Sequence, residues 1–292
     1  MSFAALLETL NSVIWSPALV FLCLAVGVYF TLTTLFLQVR CLPDMMRQIV
    51  SNKKSGSGVS SFESLMISLA GRVGVGNIAG VATAIAFGGP GAVFWMWAVA
   101  LLGSATSFIE CTLAQIYKEK DRDTGEYRGG PAYYIEKAYK HTRAGKFMLV
   151  YAVVFAVAMM LATSYFLPGI QANGVAAAMH NAWGTDVRIS AVVLGILLAV
   201  IIMGGVRRIA NFASLVVPLM AVVYILASIV IMFVNFDRID DVFSLIFRSA
   251  FDQEAMFSGM LGAAIMWGVK RGIYSNEAGQ GTGPQSAAAA EV

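Results

Sequence analysis

The sequence predicts an all-α polytopic membrane protein, and two observations support that fold class. Of its 292 residues, 58% are apolar and only 13% are charged, whereas soluble domains carry about a quarter charged residues. The charges leave long gaps at 9–39, 73–109, 147–185 and 209–236. Because a helix crosses the hydrocarbon core of a bilayer with about 20 apolar residues, each gap can hold at least one crossing. A water-exposed globule is therefore excluded.

The composition also argues against several functions. A net charge of +3 is too small for a nucleic-acid-binding surface. Cys23, Cys41 and Cys111 show no CxxC or Cys/His spacing, and His141 and His180 stand alone, so we expect no transition-metal site and no disulfide framework. The sequence also lacks HExxH, GxSxG and a paired-aspartate constellation. We therefore do not expect an enzyme.

Residues 1–60 are predicted to form an N-terminal transmembrane helix, at about 13–36, and a polar cytoplasmic linker. No Lys or Arg precedes Arg40. The first apolar stretch therefore lacks the basic region of a cleavable signal peptide and is interpreted as a true span.

The second crossing, about 62–87, is predicted to be a broken helix. Four glycines fall within ten residues, 71–80, and each weakens a helix by about 1 kcal/mol relative to alanine. Residues 88–91, Gly-Gly-Pro-Gly, must form a turn, because an unbroken helix through the surrounding uncharged gap would be about 55 Å long. The third span then runs over about 91–117.

Three further spans complete a predicted five-helix unit over residues 61–235. A polar segment follows the third span and holds the most charged run of the chain. The next uncharged gap holds one span, with Pro168-Gly169 as a kink or an end and an exit loop from Asn181 to Asp186. The last two spans are about 189–205 and 211–235.

Residues 236–255 predict a short helix lying in the membrane interface. Val242, Phe243, Ile246, Phe247 and Phe251 repeat at helical spacing with charges opposite them, which is typical of an interfacial amphipathic helix.

Residues 256–292 predict a second broken helix. This segment is apolar, but it is interrupted by Lys270, Arg271 and Glu277 and by the glycines Gly268, Gly272, Gly279, Gly281 and Gly283. Five helix-length elements separate the starts of the two broken segments. That spacing is expected if each segment begins one half of a five-plus-five inverted repeat.

The distribution of Lys and Arg predicts the orientation of the chain. Segments 37–60, 118–146 and 204–210 hold fourteen of these residues, whereas the alternating segments hold three. By the positive-inside rule, the first set is cytoplasmic and the N-terminus lies outside.

The glycine-rich segment at 74–79 has three interpretations. It fits the GxGxxA pattern of nucleotide-binding folds, but no strand precedes it, and Met96 stands where a ribose-binding acid is expected. Small residues that let helices pack closely are the second interpretation. The third is an unwound helix that exposes backbone groups to a substrate carboxylate and a cation. Asn77 and Arg72 at membrane depth favour the third.

Four stretches of the sequence stand out: SLAGRVGVGNIAGV (68–81), GGPGAVFWMW (88–97), RGGPAYY (128–134) and YSNEAGQG (274–281). They resemble signature motifs of the alanine/glycine:cation symporter family, the sodium:alanine symporters. The resemblance implies a bacterial or archaeal inner-membrane carrier of alanine or glycine with a LeuT-type fold, and an extra helix before the repeat that corresponds to 13–36. It also implies Na⁺, or H⁺, as the coupling ion, with no organic cofactor.

The chain departs from the family pattern at its end. Family members continue through a second repeat, whereas this chain stops after the first broken element of that repeat. The sequence therefore predicts a complete first repeat, a second repeat that is only begun, and a truncated member that does not transport alone. The alternative is a non-transporting or channel-like membrane protein derived from such a carrier.

The predicted substrate or cation site draws on both broken helices. Asn77 offers an amide donor and acceptor, although an interhelical hydrogen bond is the alternative. Gly74 and Gly76 would contribute backbone groups, and Gln171 resembles a polar pocket position of the family. The pair Ser275-Asn276 could line the same site or cap a helix.

Three charged residues lie at membrane depth in this layout: Arg72, Glu110 and Glu277. An unpaired charge there is expensive. Arg72 paired with Glu277 or Glu110 would form a gate or a structural clamp, whereas a snorkelling Arg and interfacial acids are the alternative.

Overall fold

The computed structural model describes residues 3–50, 59–251 and 260–291, which are mostly helical. These residues fall into two compact units. Unit one comprises the described parts of Met1–Leu42, Ile78–Ile109 and Ser228–Gly279. Unit two comprises those of Pro43–Asn77, Glu110–Ala227 and Gln280–Val292.

The helices follow one another with short connections, and one small hairpin interrupts them. In chain order the elements are α1 (Phe3–Ile14), α2 (Pro17–Thr33), α3 (Leu37–Arg40), α4 (Leu42–Val50), α5 (Ser61–Arg72), α6 (Val75–Gly88), α7 (Gly91–Tyr117), β1 (Glu119–Lys120), β2 (Tyr127–Arg128), α8 (Pro131–Tyr139), α9 (Gly145–Leu161), α10 (Leu167–Trp183), α11 (Val187–Ile202), α12 (Gly205–Val234), α13 (Ile239–Phe251), α14 (Met260–Asn276) and α15 (Thr282–Ala289).

Five helical segments among the described residues are long and apolar enough to cross a membrane, which confirms the all-α polytopic class. The predicted crossing at 189–205 corresponds to α11, which is apolar but has only 16 residues. The long segments are Ala5–Thr33, Ser61–Gly88, Gly91–Tyr117, Gly145–Trp183 and Gly205–Val234.

The first predicted span, 13–36, overlaps the apolar segment Ala5–Thr33, in which α1 and α2 are separate helices. Ser16 is extended and Pro17 is the first residue of α2, because proline lacks the N–H that a helix interior needs and is suited to the first turn. A separate helix, α1, precedes this point. Leu35 and Phe36 adopt positive φ angles of 55° and 53°, and this left-handed backbone follows the end of α2.

Pro168-Gly169, predicted as a kink or an end, does not end the helix. One helical segment continues from Gly145 to Trp183, and a π-helical turn, Ala162–Phe166, precedes the proline. Such a turn is a known way to accommodate a kink within a helix. The exit loop is correspondingly shorter than the predicted one and spans residues 184–186.

In unit one, the apolar core joins helices that are distant in sequence. Val20 of α2, Val99 of α7 and Val269 of α14 form a buried cluster. The helix predicted within 236–255 is present as α13, and residues 252–255 lie outside the described part. Its apolar face packs on α7, where the Phe94 ring lies 4.7 Å from that of Phe251.

In unit two, α5 packs on α12 through Met66, Ala213 and Val217. The sequence analysis did not predict the hairpin of β1 and β2. It pairs Glu119 with Arg128 and lies between α7 and α8. Two ion pairs brace it, Arg128 with Asp121 at 2.7 Å and Lys137 with Glu119 at 2.8 Å.

Candidate functional site

The first helix break lies between α5 and α6, as the glycine pattern predicts. α5 ends at Arg72, Val73 is extended with φ −101° and ψ 95°, and α6 begins at Val75. The Val73 N–H donates to the Leu69 carbonyl at 2.8 Å, and the Asn77 N–H donates to the Gly74 carbonyl at 2.9 Å. The interruption is therefore two residues long and hydrogen-bonded on both sides.

Gln171 of α10 completes this break. Its side-chain oxygen accepts a hydrogen bond from the Val75 N–H at 2.9 Å. The first N–H groups of a helix have no acceptor within that helix, so the amide supplies the missing partner. The close approach requires glycine at position 74, because a Cβ there would lie 2.8 Å from the Gln171 oxygen.

Gly174 brings α10 close to the same place. A Cβ at Gly174 would lie 2.5 Å from Cγ2 of Val75. Gln171 and Gly174 are three residues apart and share one face of α10. This face therefore supplies both a polar acceptor and a close-packing surface to the start of α6.

Asn77 links the two half-helices. Its Nδ2 donates to the carbonyl oxygen of Arg72, the last residue of α5. A C-terminal carbonyl has no donor within its own helix, so the side chain of Asn77 satisfies it. The structure thus brings Asn77, Gly74 and Gln171 to one break. Gly76 is buried in the first turn of α6.

Two of the charged residues predicted at membrane depth, Arg72 and Glu110, have neighbours within unit two. Arg72 Nη1 donates to Ser68 Oγ at 2.8 Å, so its side chain turns back along α5. Burial, and then the negative charge of Glu110, raise the pKa of Tyr134 above its usual value. An ion pair of Arg72 with Glu110 or Glu277 stays a prediction.

The second break follows α14 in unit one. α14 ends at Asn276, and Glu277 and Gly279 adopt positive φ angles of 54° and 83°. Asn276 Nδ2 donates to the Val99 carbonyl at 3.1 Å, and its Oδ1 accepts from the Ala278 N–H at 2.9 Å. The Asn276 amide therefore shapes the end of the helix, as the capping alternative proposed. Its neighbour Ser275 is half-buried.

An apolar cavity adjoins Asn276 within unit one. Its volume is about 180 Å³. The walls come from α2, α7 and α14, and they include Cys23, Thr106 and Ile273. The wall of the cavity is largely apolar, and the amide of Asn276 is one of its polar groups.

In unit two, α15 is tied to α5 by backbone and side-chain bonds. Ser64 Oγ donates to the Ser286 carbonyl at 2.7 Å. Val59 forms a parallel bridge with Ala290. Lys118 Nζ donates to the same Ala290 carbonyl at 2.7 Å, where a cation also complements the negative end of the helix dipole.

The RGGPAYY stretch contacts α15, a role that the sequence analysis did not assign. A Cβ at Gly129 would lie 2.6 Å from Cβ of Ala288. Gly130 has a φ of 123°, and a Cβ there would lie 3.1 Å from Cγ of Gln285. Two glycines before a proline were the available signal, since such a pair marks backbone that approaches another segment closely.

No group of three or more His, Cys, Asp or Glu side chains within residues 3–50, 59–251 and 260–291 is placed to hold a metal ion. The two breaks offer carbonyl oxygens and amide groups instead. Oxygen ligands of this kind suit a hard monovalent cation, and N–H groups at a helix start suit a carboxylate.

Comparison with known sequences assigns the family. The family model described as "Sodium:alanine symporter family" matches residues 1–292, the full length of the chain. The chain belongs to the sodium:alanine symporter family. Members of this family are transporters, not enzymes.

Three relatives of this symporter family show the extent of the similarity. YrbD of Bacillus subtilis, a predicted sodium/proton-dependent alanine carrier, is 54% identical over 99% of this chain and 58% of its own length. The sodium/alanine symporter AgcS of Methanococcus maripaludis is 43% identical, over 100% of this chain and 64% of its own length. GlnT of Bacillus subtilis, a predicted sodium/glutamine symporter, is 44% identical over 96% of this chain and 57% of its own length. The chain therefore spans between 57% and 64% of the length of these symporters.

Proposed function

We propose that this protein provides the first helices of a secondary transporter that imports alanine or glycine together with Na⁺ or H⁺. The observation that carries the proposal is the hydrogen-bonded break between α5 and α6, where Gln171, Gly74 and Asn77 meet. Two relatives are named as sodium-dependent alanine carriers, which supports alanine as the substrate and Na⁺ as the coupling ion.

The roles of the groups at the first break follow from their charge. The start of α6 carries the partial positive charge of a helix N-terminus, which attracts the substrate carboxylate. The Gly74 carbonyl and the carbonyls that end α5 carry partial negative charge and suit the coupling cation. Asn77 touches both sets of groups, because its side chain reaches Arg72 while its own backbone lies in the first turn of α6.

We assign the second break an analogous role. Ser275 and Asn276 end α14, where carbonyls again lose their partners within the helix. In this proposal residues 61–235 form the first repeat of a LeuT-type fold, 236–255 lie in the interface, and 256–292 begin the inverted repeat. The protein then lies in the inner membrane of a bacterium or archaeon with its N-terminus outside.

The test is substrate binding by the longest reading frame that contains this chain, purified in lipid nanodiscs. Alanine and glycine are titrated by calorimetry with and without Na⁺, and glutamine is included because one relative is named for it. We expect binding that strengthens with Na⁺. In Asn77→Ala, binding should weaken by about 1–3 kcal/mol, the range for a buried polar partner left unmatched.

Asn173→Ala is the matched control, because Asn173 lies on α10 beside the break but is exposed. Its affinity should match that of the parent protein. Equal affinities in Asn77→Ala and Asn173→Ala would remove Asn77 from the site. Ion flux across liposomes without any amino-acid binding would favour the channel-like alternative.

A further inference from the structure

Arg271 is a charged side chain of α14, and the geometry of the breaks does not explain its role. It lies on α14, five residues before that helix ends, and is half-buried. Ionisable residues inside membrane segments are costly and face a partner or a water-filled path. We therefore expect the surroundings of this guanidinium to indicate what the charge binds.

The guanidinium is held in place by a glycine and an aromatic ring. It lies directly against Gly80 of α6, where a Cβ would overlap it. Its central carbon lies 5.0 Å from the centre of the Tyr274 ring, one turn along α14. A cation over a ring face is attracted by the ring quadrupole. Gly80 and Tyr274 thus fix the position of the charge without neutralising it.

None of the described residues supplies a carboxylate within ion-pair distance of Arg271 or a hydrogen-bond acceptor to its guanidinium. Its Nε atom is buried without a partner. The neighbouring Lys270 differs, because its ammonium lies 5.2 Å from the Trp15 ring and 5.5 Å from the Trp267 ring. The guanidinium of Arg271 therefore has N–H donors for which the described residues provide no acceptor.

Arg271 is separated along α14 from the second break. It precedes Asn276 by five residues, a rise of about 7.5 Å. It is thus more than one helical turn away from the end of α14. A ligand at Arg271 would accordingly occupy a place separate from Ser275 and Asn276.

We propose that Arg271 forms a second binding site, which takes the carboxylate of the amino-acid substrate. Two parallel N–H donors of a guanidinium match the two oxygens of a carboxylate. This inference rests on the proposed function for the identity of the cargo, but the anion site itself is testable with a carboxylate that is no amino acid.

The direct test is chemical modification of the arginine in the wild-type chain in nanodiscs. Phenylglyoxal reacts with guanidinium groups, and mass spectrometry reports the modified fraction of Arg271. We expect millimolar propionate or alanine to slow the reaction about fivefold or more, whereas alaninamide, which lacks the carboxylate, should not slow it. Chloride exchanged for isethionate at constant ionic strength should leave the rate unchanged.

Several results would overturn the assignment. An Arg271 that resists phenylglyoxal under every condition would already have a partner. Equal protection by alaninamide would exclude recognition of a carboxylate, and equal protection by chloride would make this a halide site. If propionate protects Arg271 while no amino acid binds with Na⁺, the anion site stands and the proposed function fails.

Two variants and a control separate this site from the break. Gly80→Ala displaces the guanidinium, so propionate should no longer protect Arg271 from modification. For the longest reading frame that contains this chain, reconstituted in liposomes, Arg271→Gln should raise the concentration of alanine that gives half-maximal uptake about tenfold with the maximal rate retained, as expected when an encounter site is lost. Lys270→Gln removes the adjacent cation and should change neither measurement. The same rise in Lys270→Gln would show that the loss of any nearby positive charge has this effect, and it would overturn the assignment of a site to Arg271.

Discussion

The side-chain oxygen of Gln171 accepts a hydrogen bond from the backbone N–H of Val75 at 2.9 Å, although 96 residues separate the two in sequence. The bond joins the middle of one membrane segment to the point where another is interrupted. Because Val75 is the first residue of α6, its N–H has no acceptor within that helix. The break at Gly74 is thus completed by a side chain from α10.

Gln171→Leu tests this bond. The substitution keeps a side chain of similar size but leaves the Val75 N–H without its acceptor, which should destabilise the break by about 1–3 kcal/mol. We expect faster hydrogen–deuterium exchange in peptides covering residues 73–78, while peptides of α12 are unaffected. Gln171→Glu keeps an acceptor oxygen and should exchange as the parent does. Equally slow exchange in Gln171→Leu would show that the bond does not hold the break.

Gly174→Ala tests the close packing of α10 on α6. A methyl group at 174 would overlap the side chain of Val75, and overpacking of this kind costs about 1–3 kcal/mol. We expect a lower thermal unfolding midpoint in detergent. Gly169→Ala is the control on the same helix, because nothing lies within 4 Å of a Cβ there. A midpoint for Gly174→Ala at or above that of Gly169→Ala would contradict the packing.

Lys118→Met tests the tie between Lys118 and the end of α15. The variant removes the donor to the Ala290 carbonyl and the cation that complements the helix C-terminus. We expect faster hydrogen–deuterium exchange in peptides covering residues 286–291. Lys140→Met removes an exposed lysine at the end of α8 and should leave that exchange unchanged. Identical exchange in the two variants would show that Lys118 does not secure α15.

The sequence predicted the features that depend on local backbone preference. The four glycines within 71–80 and the glycines of the segment 256–292 weaken a helix locally, so both breaks could be located. At Pro168 the same reasoning left a kink and a helix end open, and the helix continues through the proline after a π-helical turn. The acceptor of the Val75 N–H and the contacts of Gly129 depend on which distant helix lies nearby. No local pattern in one sequence carries that information.

The orientation of the chain is tested through Cys41, which is a free thiol between α3 and α4. Fourteen of the basic residues in the connecting segments predict that this side of the membrane is cytoplasmic. In intact cells an impermeant maleimide should therefore leave Cys41 unmodified until the membrane is opened. Ala182→Cys places an exposed thiol at the end of α10, in the segment predicted to lie outside, and should react at once. Cys23 borders the apolar cavity of unit one and should react slowly from either side. Reaction of Cys41 in intact cells, with Ala182→Cys protected, would invert the assignment and place the N-terminus in the cytoplasm.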